Sequence, residues 1–178
     1  MKNNYLYAII LISCCSCGIT EEDIISELYA PENGLYHRAA FSEESYAILY
    51  QPSALVAQSE IRESHESASR IKKKYEQLDY FLLEINKGGD TKEKEEDFYY
   101  SYLLEKDIYQ TEGRDTIRPS LFQLEPNLWG SKKMRMNLAF PKRDSDRSIT
   151  IADRYGESVN FHIDQRDIAR SSQKANRL

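Results

Sequence analysis

The sequence predicts an α+β fold, an antiparallel meandering sheet packed on one long amphipathic helix. Residues 54–78 contain no Gly or Pro. Within them Ile61, His65, Ala68, Ile71, Tyr75 and Leu78 recur at spacings of three and four, one face of a helix. Short segments on either side alternate apolar with polar residues, or form brief apolar runs bounded by turn residues, as strands do. No βαβ rhythm repeats, so the strands are expected to pair antiparallel.

In chain order, the first segment is an address rather than a fold element. Met1 to Tyr7 is short and weakly basic, Ala8-Ile9-Ile10-Leu11-Ile12 is apolar, and Ser13-Cys14-Cys15-Ser16-Cys17 follows. The run from Tyr5 to Ile12 is far shorter than the ~20 residues a membrane-crossing helix needs, and suits a secretory signal. Leu11-Ile12-Ser13-Cys14 matches the lipobox pattern, and the segment resembles a bacterial lipoprotein signal peptide. That resemblance implies removal of residues 1–13, a diacylglyceryl thioether on Cys14 and acylation of the new amino terminus. Cys17, with Ser16 before it, is the alternative lipidation site and gives a more ordinary signal length. Two or more acyl chains suffice for stable anchoring, so the resemblance implies membrane attachment in the bacterial cell envelope, at the outer membrane. A buried core segment with free thiols is the competing structural reading.

Residues 14–30 then read as the lipidated region and a tether. Thr20-Glu21-Glu22-Asp23 is an N-cap with an acidic first turn before Ile24, Ile25 and Leu28, the signature of a short helix. The same acids, soon after the cysteine, also resemble surface-export signals of Bacteroidota lipoproteins. Pro31-Glu32-Asn33-Gly34 is a turn, and a single domain is expected over residues 31–168. Leu35 to Tyr50 reads as two strands joined by Ser42-Glu43-Glu44-Ser45, the second ended by Pro52, with Ser53 capping the long helix. Ser64, Ser67 and Ser69 are mediocre helix formers in its middle. Tyr80 to Ile85 is a buried strand closed by Lys87-Gly88-Gly89-Asp90. Phe98 to Leu104 and Ile108 to Gln110 form a further apolar stretch, with a helical turn at Leu103-Leu104-Glu105-Lys106 as its alternative. Leu121 to Leu124 is a short strand, and Met134 to Phe140 alternates as a half-buried strand ending at Pro141. Ser148 to Ala152 and Ser158 to Ile163 flank a turn containing Gly156, a hairpin. Residues 169–178 are polar and are expected to fray.

Composition narrows the function classes. Loss of residues 1–13 leaves 165 residues, enough for one core, and removes a single basic residue, Lys2. The net charge of −5 becomes −6. A mildly acidic chain of interspersed sign lacks the basic footprint of nucleic-acid binding, so no nucleic-acid partner is expected. With 13 Tyr, 6 Phe and 1 Trp the chain is too aromatic to be disordered throughout.

Catalytic motifs are absent: there is no G-x-S-x-G, G-x-G-x-x-G, Walker loop or H-E-x-x-H. His37, His65 and His162 are scattered. His65 belongs to the predicted helix stripe, and His162 shares a strand face with Asp164, a hydrogen-bonded or metal-binding pair only as the alternative to an exposed polar strand face, which is the favoured reading. Cys14, Cys15 and Cys17 have no second ligand pair at zinc spacing, so neither a metal nor a cofactor is expected. Trp129, between a Pro-Asn turn and Gly130, is either a loop anchor or a ligand contact. Tyr99, Tyr100 and Tyr102 are the other candidate ligand contacts, against ordinary strand chemistry.

These observations lead to a membrane-anchored envelope lipoprotein, a non-enzymatic module that binds an envelope protein partner or takes part in an assembly. A carbohydrate- or small-ligand-binding surface lipoprotein is the first alternative and requires Trp129 and the tyrosines on one concave surface. A cell-surface hydrolase is the second and requires a histidine to meet an acid and a nucleophile in a pocket.

Overall fold

Alternating apolar residues commit most of the strands to one buried face each, and the chain satisfies them by packing two sheets together. The computed structural model describes residues 20–40, 44–87, 98–113, 115–125, 133–152 and 156–177. The signal segment, Cys14, Cys17 and Trp129 lie outside the described residues. The elements are α1 (Glu21–Leu28), β1 (Tyr36–Ala40), β2 (Glu44–Gln51), α2 (Ser53–Glu63), α3 (Ala68–Tyr75), β3 (Leu78–Lys87), β4 (Ile108–Glu112), β5 (Asp115–Ile117), β6 (Leu121–Leu124), β7 (Lys133–Pro141), β8 (Arg147–Ala152), β9 (Ser158–Ile163) and α4 (Gln165–Ala175). The mixed α+β class is as the sequence predicts. Every strand pairing is antiparallel.

The strands divide into a five-stranded sheet, ordered β1-β2-β3-β7-β6, and a four-stranded sheet, ordered β5-β4-β8-β9, where the sequence suggested one meander. Ile48, Phe81, Leu83, Ile85, Met136, Leu138 and Phe140 of the first sheet share one hydrophobic core with Ile108, Ile149, Ile151, Phe161 and Ile163 of the second. The hairpin read from Gly156 is β8–β9, paired from Arg147–Ile163 to Ala152–Ser158. By contrast β3 pairs with β7, more than 50 residues on, with Leu82 opposite Asn137 and Tyr80 opposite Ala139.

The long helix is not formed. α2 ends at Glu63, and α3 starts at Ala68. Ser64 leaves the helix with φ −98° and ψ 151°, and its hydroxyl accepts the Glu66 N–H at 3.0 Å. A serine hydroxyl that bonds nearby backbone offers an alternative to the helical ladder, and Ser64 takes it. His65 is therefore an exposed loop residue rather than part of a buried stripe. The two helices fold back on each other: Glu60 of α2 accepts hydrogen bonds from Lys74 Nζ (3.1 Å) and the Tyr75 hydroxyl (2.5 Å) of α3. Of the predicted stripe, Ile71 is fully buried, while Leu78 already belongs to β3. Pro52, not Ser53, occupies the N-cap position of α2, with no side-chain cap.

The short helix read from Thr20 to Leu28 is formed, and the C-terminal end is more structured than its polar composition suggested. In the region assigned to a tether, α1 is closed by a capping box in which Thr20 and Asp23 bond each other's backbone N–H. Ile24 and Leu28 are buried in the common core. Residues 165–175 form α4 instead of a frayed tail. Asp164 caps it by accepting the Arg166 N–H at 2.8 Å. Ile168, Ser171 and Ala175 form its buried stripe. Two of these are small or polar, so the stripe is nearly invisible to hydropathy while still allowing close approach. Phe98 to Leu104 is not a strand either: Tyr99–Leu103 is a π-helical turn that runs into a 3₁₀ turn at Leu104–Asp107.

Candidate functional site

Side chains two apart on a strand share a face, and this rule assembles a second surface on the five-stranded sheet, opposite the face that carries Ile48, Phe81, Leu83 and Met136. Gln51 of β2 lies opposite Tyr80 of β3. Tyr80 lies opposite Ala139 of β7, and Asn137, two residues earlier, lies opposite Gln123 of β6. Gln51, Tyr80, Asn137, Gln123 and Leu121 therefore occupy one face. Ile25, Leu28 and Tyr29 of α1 and its C-terminal cap wall this face on one side, with Leu55, Val56, Ser59 and Arg62 of α2 on the other. The result is an open groove of 480 Å³, within the ~300–1,000 Å³ of small-ligand sites.

The groove combines apolar walls with uncommitted polar groups. No side-chain hydrogen bond to a described residue engages the Gln51, Gln123 or Asn137 amides, or the Tyr80 and Tyr29 hydroxyls. Tyr80 is only 7% exposed and lines the groove, with no hydrogen-bond partner for its hydroxyl among the described residues. Tyr75 packs against it, ring centroids 5.4 Å apart, and is itself held by Glu60. The two charges on the lining cancel locally: Arg62 pairs with Glu21 at 3.0 Å and bridges α2 to α1 across the rim.

Electrostatics keep these phenols neutral. Burial, reinforced by the Glu60 hydrogen bond and charge, pushes Tyr75 up to about 12. Burial likewise raises Tyr80, with the Glu60 charge adding to it, and raises Tyr29, with Glu84 adding to it. Glu60 in turn is held below its ordinary value by the Tyr75 and Lys74 hydrogen bonds. The tyrosines thus remain hydroxyl donors throughout the physiological range.

Other concavities are less suited to a ligand. The crevice between α1 and α4 encloses about 10 Å³, roughly the room of one water molecule. A 230 Å³ depression beside Pro52, Lys142 and Ser172 is mostly polar.

The residues singled out from the sequence fall elsewhere. Tyr99 is half-buried and donates to Asp107 Oδ2 at 2.9 Å. Tyr100 is fully buried and donates to the Glu44 carboxylate, which also accepts from Tyr46. Only Tyr102 faces outward, 62% exposed and stacked on Phe98 at 5.3 Å. A helical turn rotates successive residues by about 100°, so three tyrosines that a strand would sort onto two faces diverge, and Tyr100 enters the core. His162 and Asp164 do not pair. His162 Nε2 lies 3.8 Å from Asp146 Oδ2 on the exposed side, whereas Asp164 engages Arg166. His37 donates to the Gly34 carbonyl at 2.8 Å. Among the described residues no three His, Cys, Asp or Glu side chains converge on a metal-sized space, and no helix is long and apolar enough to cross a membrane. The groove residues were missed because they come from four strands and three helices. The available signal was Gln51, Gln123 and Asn137, polar residues on strand faces that the sequence leaves unexplained.

No protein-family model and no curated protein matches the chain. A solved structure described as a novel protein of unknown function from Burkholderia pseudomallei K96243 is similar to it, with 9% identity, 88% of each chain covered and a TM-score of 0.41. A likeness of that size carries no functional argument.

Proposed function

We propose that this chain is a lipid-anchored, non-enzymatic binding module of the bacterial cell envelope, and that the groove over the five-stranded sheet is its binding surface. The lipobox-like Leu11-Ile12-Ser13-Cys14 supports the anchor, with attachment at the outer membrane. The observation that carries the binding reading is the set of groove hydroxyls and amides without internal partners. Gln123 is exposed and Gln51 and Asn137 are half-buried, so these groups are open to a ligand, and amides that present both donors and an acceptor suit one whose groups do the same. Their chemistry also favours binding over turnover, because amides and neutral phenols position a ligand while Arg62 and Glu21, the charged residues among the described lining, are paired with each other at the rim. Tyr99, Tyr100 and Tyr102 are not among the residues that line this groove.

Both halves of the reading are testable on the expressed protein. The full chain should incorporate labelled fatty acid and partition with membranes, and a variant with Cys14, Cys15 and Cys17 all changed to Ala should do neither. Absence of label on an exported, folded protein would remove the anchor. For the groove, detergent-purified protein incubated with a small-molecule envelope extract should retain a bound mass in native mass spectrometry, lost when Asn137→Trp fills the floor. Retention unaffected by that substitution would place binding elsewhere.

A further inference from the structure

We infer that the groove takes a neutral saccharide of one or two rings; this rests on the groove being the binding surface. Three properties of the lining narrow the ligand. First, the Arg62 guanidinium is paired with Glu21 at 3.0 Å, and Gln51, Tyr80, Asn137 and Gln123 on the floor carry no charge. An anionic or cationic ligand would shed its hydration without a free counter-charge among the described lining residues to meet it. Second, the amides of Gln51, Asn137 and Gln123 each present both donors and an acceptor. Together with the Tyr80 hydroxyl they form a dense array of either polarity, the requirement of adjacent hydroxyls, which must donate and accept at once. A purely apolar ligand such as an acyl chain would bury these groups unpaired. Third, the Tyr80 and Tyr75 rings and the Leu55, Val56 and Ile25 side chains supply the apolar contact that the C–H face of a sugar ring needs.

Tyr80, whose ring is largely buried, is the centre of this array. It lies on the same sheet face as Gln51, its cross-strand partner, and as Asn137, next to its partner Ala139 on that face. A ligand hydroxyl in the groove therefore meets a donor that stays protonated and an amide on either side. The volume of 480 Å³ sets the ligand at a short saccharide rather than an extended chain. The Arg62–Glu21 bridge limits it on one side.

The test is a titration of the full chain, purified in detergent, with cellobiose, maltose and di-N-acetylchitobiose, followed by saturation-transfer NMR and calorimetry. At least one should bind saturably. Asn137→Ala and Tyr80→Phe should each weaken it about tenfold, the loss of roughly one hydrogen bond, with the circular dichroism spectrum unchanged. A uronic acid analogue of the bound sugar should bind more weakly, with little salt dependence. Equal or tighter, salt-sensitive binding of that analogue would overturn the neutral assignment. Binding of a capped uncharged peptide that Asn137→Ala weakens, with no sugar bound, would overturn the saccharide and leave the groove as the binding surface. If sugars and peptide all fail to bind while native mass spectrometry still finds a mass that Asn137→Trp removes, the saccharide class alone falls. If that mass is absent too, the groove reading falls with it.

Discussion

Arg147 of β8 donates from Nε at 2.8 Å, and from Nη2, to the same Asp79 Oδ2 of β3, joining the two sheets by a charge pair between residues 68 apart in sequence. Arg147 is 0% exposed and Asp79 1%. Nη2 and Nη1 also donate to the carbonyls of Arg143 and Ser145, respectively, in the loop before β8. Among the described residues Asp79 Oδ1 has no hydrogen-bond partner, while the Arg143 backbone N–H also acts on the carboxylate. Burial pushes the Asp79 carboxyl up, opposed by the Arg147 hydrogen bonds and charge. Such a pair adds little net stability over apolar residues but strongly penalises loss of one member.

Asp79→Ala should accordingly destabilise the protein by about 3–5 kcal/mol, because it strands a buried guanidinium. Replacing both residues, Asp79→Leu with Arg147→Met, should recover most of that loss. Urea denaturation of the single and double variants measures the difference, and a double variant as unstable as the single one would contradict the account.

Ile71 is the buried side chain of α3, at 0% exposure. Ile71→Ala should cost about 2–5 kcal/mol. Glu66→Ala, in the exposed loop before α3, should stay within about 0.5 kcal/mol. Similar midpoint shifts in the two variants would show that α3 is not packed through Ile71.

The cap of α4 should make stability depend on acidity. The side-chain hydrogen bond from Arg166, with the Arg166 backbone N–H, lowers the Asp164 carboxyl to about 2 from an ordinary value of 3.8. A folded-state value below the unfolded one means that the ionised carboxylate favours the fold. Its contribution is complete above pH 3.8 and disappears as the pH falls through about 2. Asp164→Asn keeps a capping acceptor and removes the titration, so the difference in Tm from the parent should shrink between pH 5 and pH 2. A constant difference over that range would rule out Asp164 as its source.

Gly34 closes the turn after α1 with φ +64°, and a Cβ there would lie 2.5 Å from Asp167 Oδ2 of α4. Gly34→Ala should therefore cost at least the ~1–2 kcal/mol of a left-handed alanine and displace Asp167. Gly113, also at positive φ but with nothing within 4 Å of a Cβ, should cost only the conformational part when changed to Ala. Thermal unfolding of the two variants compares them directly.

Local rules read directly from the chain account for much of the secondary structure. Thr20 with Asp23 announces the capping box of α1, the alternation from Met134 to Phe140 announces β7, and the turn before Ser158 announces the β8–β9 hairpin. Each depends on residues within a few positions of one another, where side-chain period and cap chemistry act alone. Local competition also decided the break at Ser64, but its outcome depended on α3 folding back so that Glu60 meets Lys74 and Tyr75. Tertiary contact alone decided the division into two sheets, since an alternating strand specifies which face is buried and not which partner lies beside it. It likewise made a helix of the polar C-terminal segment, because Ser171 and Ala175 become a buried stripe only against α1 and the core. The groove belongs to the same class: Gln51, Tyr80, Gln123 and Asn137 become neighbours only through the β2-β3-β7-β6 order, which the long-range pairing of β3 with β7 creates.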